Sequence, residues 1–212
     1  MDNFEKALKV AEESMEKLKE AFLVFKTKST DESKTEVELS TLAAGDVFTT
    51  EIGAFKVLEQ YGEETKVIQV DFARKCVQFD SDATDYKTSE LRKLCDNEIY
   101  EEYAKVFGAE NIVEHEVDLT TVDMQKDFGA LDCKVRPLTF GEARQYNELL
   151  VNENLPDWYW TCTPWSTKAR GWEYSEAVVS PRGYICRGCY NNRRGVRPVC
   201  ILKSNIFVSK ED

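Results

Sequence analysis

Histidine is almost missing from this chain: His115 is the single one among 212 residues. Histidine-rich metal centres are therefore excluded within one chain. A cysteine–histidine nucleophile would have to recruit His115 from the polar run "IVEHEVDL", far in sequence from the cysteine-dense tail. Long apolar runs are missing too. No segment approaches the roughly 18 residues that cross a bilayer as a helix. The start "MDNFEKALKV" lacks the basic start, apolar run and small-residue cleavage site of a signal peptide. There is no glycine-rich loop followed by Lys and Ser/Thr to cradle phosphate, and no internal repeat. Positive charge is scarce: 28 basic against 39 acidic residues give a net charge of −11. The deficit is uneven, with residues 1–150 at −14 and residues 151–212 at +3. Direct nucleic-acid binding normally needs a basic excess and is not expected. The acidic portion could instead imitate nucleic acid and block a host defence or nucleic-acid-binding protein. Seven cysteines leave at least one unpaired. Reduced thiols are the better reading, and with them the cytoplasm, or the host cytoplasm or particle of a phage.

What is present begins with a heptad seam. Phe4, Leu8, Ala11, Met15, Leu18 and Phe22 alternate spacings of four and three. They predict an amphipathic helix over 1–25, with self-association through residues 4–22 as one use of its stripe. Residues 26–40 are polar and aperiodic and read as a linker. From 41 onward short strands and helices alternate. "AFKVLEQ" and "TKVIQVDF" are strand-like, and "TSELRKLCDNEIYEEYAKVFG" is a helix that Ser89 caps and Gly108 ends, with a break near Asp96–Asn97. Thr139 and Glu142 form a capping box before a short helix. The fully apolar "VCIL" near the C-terminus reads as a central strand, and "DSDATD" as a polar turn.

Residues 157–202 hold all four tryptophans and four of the seven cysteines. Trp158 and Trp160 share one face of a strand and are expected to pack inward. Trp165 and Trp172, in a loop, are the better surface candidates. "CRGC" has a zinc-knuckle spacing, but a closed site needs two more soft ligands, for which Cys162 and Cys200 would have to join Cys186 and Cys189. The same pair is the place where a thiol-based enzyme would be sought, although the strand-to-helix context that activates such a thiol is not evident. Neither a metal nor a cofactor is expected. Recognition is the stronger reading. Aromatics interleaved with arginine dominate protein-interface hot spots, and Tyr and Asn recur in adaptable recognition loops. The candidate ligand-binding set is Tyr159, Trp165, Lys168, Arg170, Trp172, Tyr174, Tyr184, Arg187, Tyr190, Asn191, Asn192, Arg193 and Arg194. Arg197 is assigned to backbone contacts instead.

The order of landmarks carries a resemblance. "GDVF", "TSELRKLCDNEI", "VRPLTFGEA", "YWTCTPWS" and "GVRPVCIL" follow one another over residues 44–203. This order resembles a domain family of unknown function from Firmicutes and their phages and mobile elements. Ser89, Leu91, Arg92, Leu94 and Asn97 fit its helix motif, and Glu142 and Ala143 its "EA" pair. Trp160, Thr163 and Pro164 fit its aromatic segment, and Gly195 to Pro198 its closing strand. Cys95 and Cys162 depart from it, standing where tryptophan and arginine are usual. The resemblance implies an α+β, C-type-lectin-like fold, akin to formylglycine-generating enzymes and retroelement-diversified variable proteins, over 41–212. It implies a function carried by loops above a small sheet. The "CRGC" spacing differs from the reactive cysteine pair of those enzymes, so their activity does not carry over. The expectation is thus a non-catalytic module that binds a protein, or a surface glycan, through its C-terminal face.

Overall fold

The computed structural model describes residues 15, 17, 19 and 34–211. The expected helix 1–25 and its use in self-association fall outside the described residues, apart from Met15, Lys17 and Lys19, which are helical and exposed. The fold is mixed α+β and mostly β, with a curled antiparallel sheet and few helices.

The larger sheet runs β1 (Lys34–Glu38), β15 (Phe207–Glu211), β2 (Val47–Thr50), β3 (Gly53–Tyr61), β4 (Glu64–Gln69), β14 (Pro198–Lys203) and β6 (Ile112–Val113), with β9 (Val135–Pro137) also on β14. β1 lies inside the segment read as linker. Its pairing with β15 from Lys34↔Glu211 to Glu38↔Phe207 moves the domain boundary N-terminally. A polar strand at a sheet edge has no apolar periodicity, so nothing in "KTEVE" announced it. The smaller sheet runs β12 (Ile185–Cys189), β11 (Ser175–Val179), β10 (Tyr159–Pro164), β13 (Arg193–Val196) and β5 (Arg74–Gln78). A two-stranded ribbon, β7 (His115–Asp118) with β8 (Ala130–Cys133), stands apart.

The main helical stretch is α1 (Glu90–Leu94), a π-turn at Cys95–Ile99 and α2 (Tyr100–Phe107). The Ser89 hydroxyl accepts from Arg92 N at 3.0 Å, and Gly108 ends the helix at φ +82°. The expected break near Asp96–Asn97 is this π-turn. The stretch buries Leu91, Cys95, Ile99, Tyr103 and Phe107 against Phe48 and Phe55 of the larger sheet and Trp160 and Val178 of the smaller one. Tyr103 and Phe107 meet Phe55 edge-on at 5.3 and 5.2 Å, in the geometry that aromatic quadrupoles favour. A second core holds Leu58, Ile68, Phe72, Tyr159, Val179 and Val199, under α3 (Phe140–Gln145) and α4 (Asn147–Leu150). β14 is buried on both faces, which is why "VCIL" is apolar throughout.

One residue, Arg197, separates β13 from β14 and so joins the two sheets. It is fully buried. Its Nε donates to Gln69 O at 2.9 Å and its Nη1 to Leu150 O at 2.7 Å. The structural role expected of Arg197 is the observed one. Two residues earlier, a Cβ on Gly195 would lie 2.3 Å from Phe72 Cε2. Gly195→Ala must displace a ring in a packed core. It is expected to cost about 2 kcal/mol, read as a lower urea midpoint at unchanged m-value.

Candidate recognition face

The smaller sheet positions most of the aromatic and arginine-rich tail, but does not gather it into one patch. Tyr159 leaves the candidate set. It is fully buried, 6.2 Å from the Phe72 ring, with its hydroxyl 3.4 Å from Arg197 Nη1. Alternation would turn it outward if Trp160 faces in, and Trp160 does face in, donating Nε1–H to Val77 O at 2.9 Å. The correction has a simple cause: both faces of β10 are covered, one by each core cluster.

Tyr184 is exposed but sits at the β11–β12 turn, beside a cavity of about 300 Å³ shared with Trp158, Ser180 and Arg182. Six residues of extended chain separate it from Tyr190, roughly 20 Å at strand rise. The remaining residues gather at the opposite end. The Arg187 guanidinium lies 3.9 Å over the Trp172 ring, which is 42% exposed. Tyr174, 55% exposed, has its ring 6.1 Å from that of Tyr190. Trp165 is half-buried, its N–H bonded to Ser175 O at 2.8 Å. Lys168 and Arg170 lie exposed on the short turn before Trp172. Asn191 and Asn192 form the turn into β13. Gln78 Nε2 donates to Asn191 O at 3.1 Å, and Asn192 N to Cys189 O at 2.9 Å. Arg193 reaches Cys76 O of β5 at 3.0 Å and Arg194 reaches Asp157 Oδ1, in the loop before β10, at 3.3 Å, so both side chains are engaged within the domain.

Sequence reasoning missed the loop Thr121–Gln125, which borders this end. Asp123 Oδ2 accepts from Ser166 Oγ at 2.7 Å and lies 3.6 Å from Arg170 Nη1. The Thr121 hydroxyl bond, opposed by burial and helped by Ser166 and Arg170, holds the Asp123 carboxyl below its usual range. Next to it, Met124 is 73% exposed at φ +69°. The left-handed region is costly for a residue with a Cβ, so the loop's anchors hold Met124 there. Its only sequence signal was an isolated apolar residue in "TTVDMQKD".

His115 and the cysteines are the side chains a catalytic reading would use. His115 Nε2 accepts from Arg136 Nε at 3.2 Å, and Nδ1 lies 3.3 Å from Val113 O, so both ring nitrogens are engaged. Burial, with the Arg136 charge, pushes its pKa down to about 4. Cys186 and Cys189 lie three positions apart on a strand, so their side chains point to opposite faces and their Cα atoms are roughly 10 Å apart, too far for a disulfide. No activating helix follows them. Of the other cysteines proposed as zinc ligands, Cys162 and Cys200 are buried, and burial raises both pKa values. Burial likewise pushes Cys95 up to about 12 and Cys133 to about 11. Among the described residues no three His, Cys, Asp or Glu groups are placed to hold a metal ion, and none of the described helices is long and apolar enough to cross a membrane.

A buried polar cluster is the other feature that sequence reasoning did not find. Glu142 accepts from Arg136 Nη1 and Nη2 at 2.6 and 2.8 Å, from Lys66 Nζ at 2.6 Å and from Thr139 N at 2.9 Å. Burial would raise its pKa, but the two cations outweigh burial and hold it far below the usual carboxylate range. A carboxylate held ionised between two fixed cations suits a structural clamp. No known protein family, curated protein or solved structure matches this chain.

Proposed function

We propose that this chain is a non-catalytic binding module with a C-type-lectin-like architecture, and that it captures a protein through the end of the smaller sheet bearing Trp172, Tyr174, Arg187 and Tyr190. The observation that carries this reading is the Arg187–Trp172 stack at 3.9 Å, exposed beside a second aromatic pair. The stack is already formed in the free chain, with Arg187 on β12 and Trp172 in the loop before β11, so less ordering is left for binding. It also favours protein over glycan: Arg187 already occupies one face of Trp172 and leaves a sugar ring at most the other for stacking. The likeness in landmark order to the Firmicutes and phage family is in keeping with a recognition role for loops at this place.

The test is a triple variant, Trp172→Ala, Tyr174→Ala and Arg187→Ala. Hot-spot truncations of this kind cost about 2 kcal/mol or more each, so the triple is expected to weaken a purified protein partner by at least about 100-fold. The fold should persist, because each of the three is at least partly exposed. Circular dichroism and titration calorimetry read the two effects separately. Undiminished affinity in the triple variant would remove this face.

A further inference from the structure

The outer edge of β12 is built to accept another strand. β12 ends the smaller sheet, and its register with β11 is unbroken from Ser175↔Cys189 to Val179↔Ile185. Which of its residues bond inward is fixed by the flanking bonds. Ser180 N donates to Tyr184 O at 2.8 Å and Tyr190 N to Tyr174 O at 3.1 Å. In an antiparallel ladder, bonded and non-bonded pairs alternate. Residues 184, 186, 188 and 190 therefore face β11, while Ile185, Arg187 and Cys189 turn their N–H and C=O groups outward. Cys189 O is taken by Asn192 N at 2.9 Å. The N–H groups of Ile185, Arg187 and Cys189 and the C=O groups of Ile185 and Arg187 face away from the sheet.

The opposite edge of the same sheet shows what protection looks like. In β5 the register slips opposite Gly195, and Cys76 sits at φ +57° in the resulting bulge. Arg193 caps the Cys76 carbonyl. Bulges of this kind stop edge pairing. β12 has neither bulge nor proline. Its central outward residue is Arg187, exposed on Trp172 and without a carboxylate partner among the described residues, whereas Lys168 and Arg182 each lie within 3.9 Å of one. A second copy of this chain does not fit there. An antiparallel pair of β12 edges, in any register joining two or more outward residues, sets the two Arg187 side chains opposite or diagonal to one another, which like charges oppose.

We infer that β12 binds an extended, acidic segment of the partner protein as an added strand, with a carboxylate side chain meeting Arg187. This rests on the reading of the face above and names what it captures. Main-chain bonds along Ile185–Cys189 would supply affinity, and Arg187 on its Trp172 support would select the charge.

The test uses the full chain and a displayed library of random ten-residue peptides. Proline at an outward edge position removes a free N–H but no bond to β11, so Ile185→Pro and Cys189→Pro both block the edge at little cost to the sheet. Having two such variants covers the case in which Ile185, which packs on the core, does not tolerate the change. Expected are peptides rich in Asp or Glu that bind wild type at least 10-fold more tightly than a folded proline variant. They should slow amide exchange at Ile185, Arg187 and Cys189 while leaving Cys186 and Gly188 as they were. Arg187→Glu should reverse the selection toward Lys and Arg. Equal selection on wild type and a folded proline variant, or binding with no change in those three amides, overturns strand addition. Neither result touches the reading of the face, which falls only if the triple variant keeps its protein partner.

Discussion

Glu142→Ala is expected to lose about 3–5 kcal/mol of folding stability at pH 7, a large share of the roughly 5–15 kcal/mol that keeps a typical domain folded. The size of the effect comes from what remains after the carboxylate is removed. Arg136 and Lys66 have 3% and 10% of their side chains exposed, so both would stay charged and out of water without a counter-ion. Glu142 is also the N3 residue of the capping box with Thr139, so the first turn of α3 loses its reciprocal bond as well. Glu142→Gln keeps the shape but not the charge and should be similarly costly. The decisive comparison is the triple replacement Lys66→Met, Arg136→Met, Glu142→Leu. Taking out all three charges together removes the desolvation cost along with the attraction, so the triple variant should recover most of the loss. Urea unfolding of the three proteins measures this directly. A Glu142→Ala protein within about 1 kcal/mol of wild type would show that water reaches the cations and that the cluster is not a buried clamp.

The capping box was legible because its two members stand three residues apart and obey a local rule. The rest of that cluster was not. Lys66 reaches Glu142 across 76 positions, and no local pattern distinguishes it from a solvated lysine on an alternating strand. Arg197 was legible for the opposite reason: an arginine inside an apolar closing strand has to find carbonyls. The recognition face was legible as composition but not as shape. Trp172, Tyr174, Arg187 and Tyr190 do come together, because β11 and β12 form a hairpin that places 174 beside 190. Tyr184 separates from them because it lies in that hairpin's turn. Tyr159 was lost because alternation predicts which residues share a face, not whether the second face is covered too. The free edge of β12 was beyond reach from sequence, since it depends on which strands lie side by side.

Glu176→Met should stabilise the protein by at least about 3 kcal/mol at pH 7, because it replaces a buried carboxyl with no bonding partner by an apolar chain of similar volume. Glu176 is fully buried on β11, and neither carboxyl oxygen has a hydrogen-bond partner. Burial, and then the nearby charge of Asp85, raises its pKa well above the ordinary 4.5. The folded chain therefore keeps a proton that the unfolded chain releases above pH 4.5. Stability falls by about 1.4 kcal/mol per pH unit for as long as that proton stays bound. His115 works in the other direction. Its pKa drops from 6.5 to about 4 on folding, so the unfolded chain binds the extra proton between those values, and stability falls as the pH is lowered through that range. From about pH 4.5 upward the two slopes oppose each other, so wild-type stability should vary less with pH there than either group alone would make it. Glu176→Met removes one of the two. The variant's stability should climb by up to about 1.4 kcal/mol per unit from pH 4.5 to 6.5 and then level off. Urea titrations at four or five pH values would show it. Parallel curves for variant and wild type would mean that Glu176 is solvated or paired in solution.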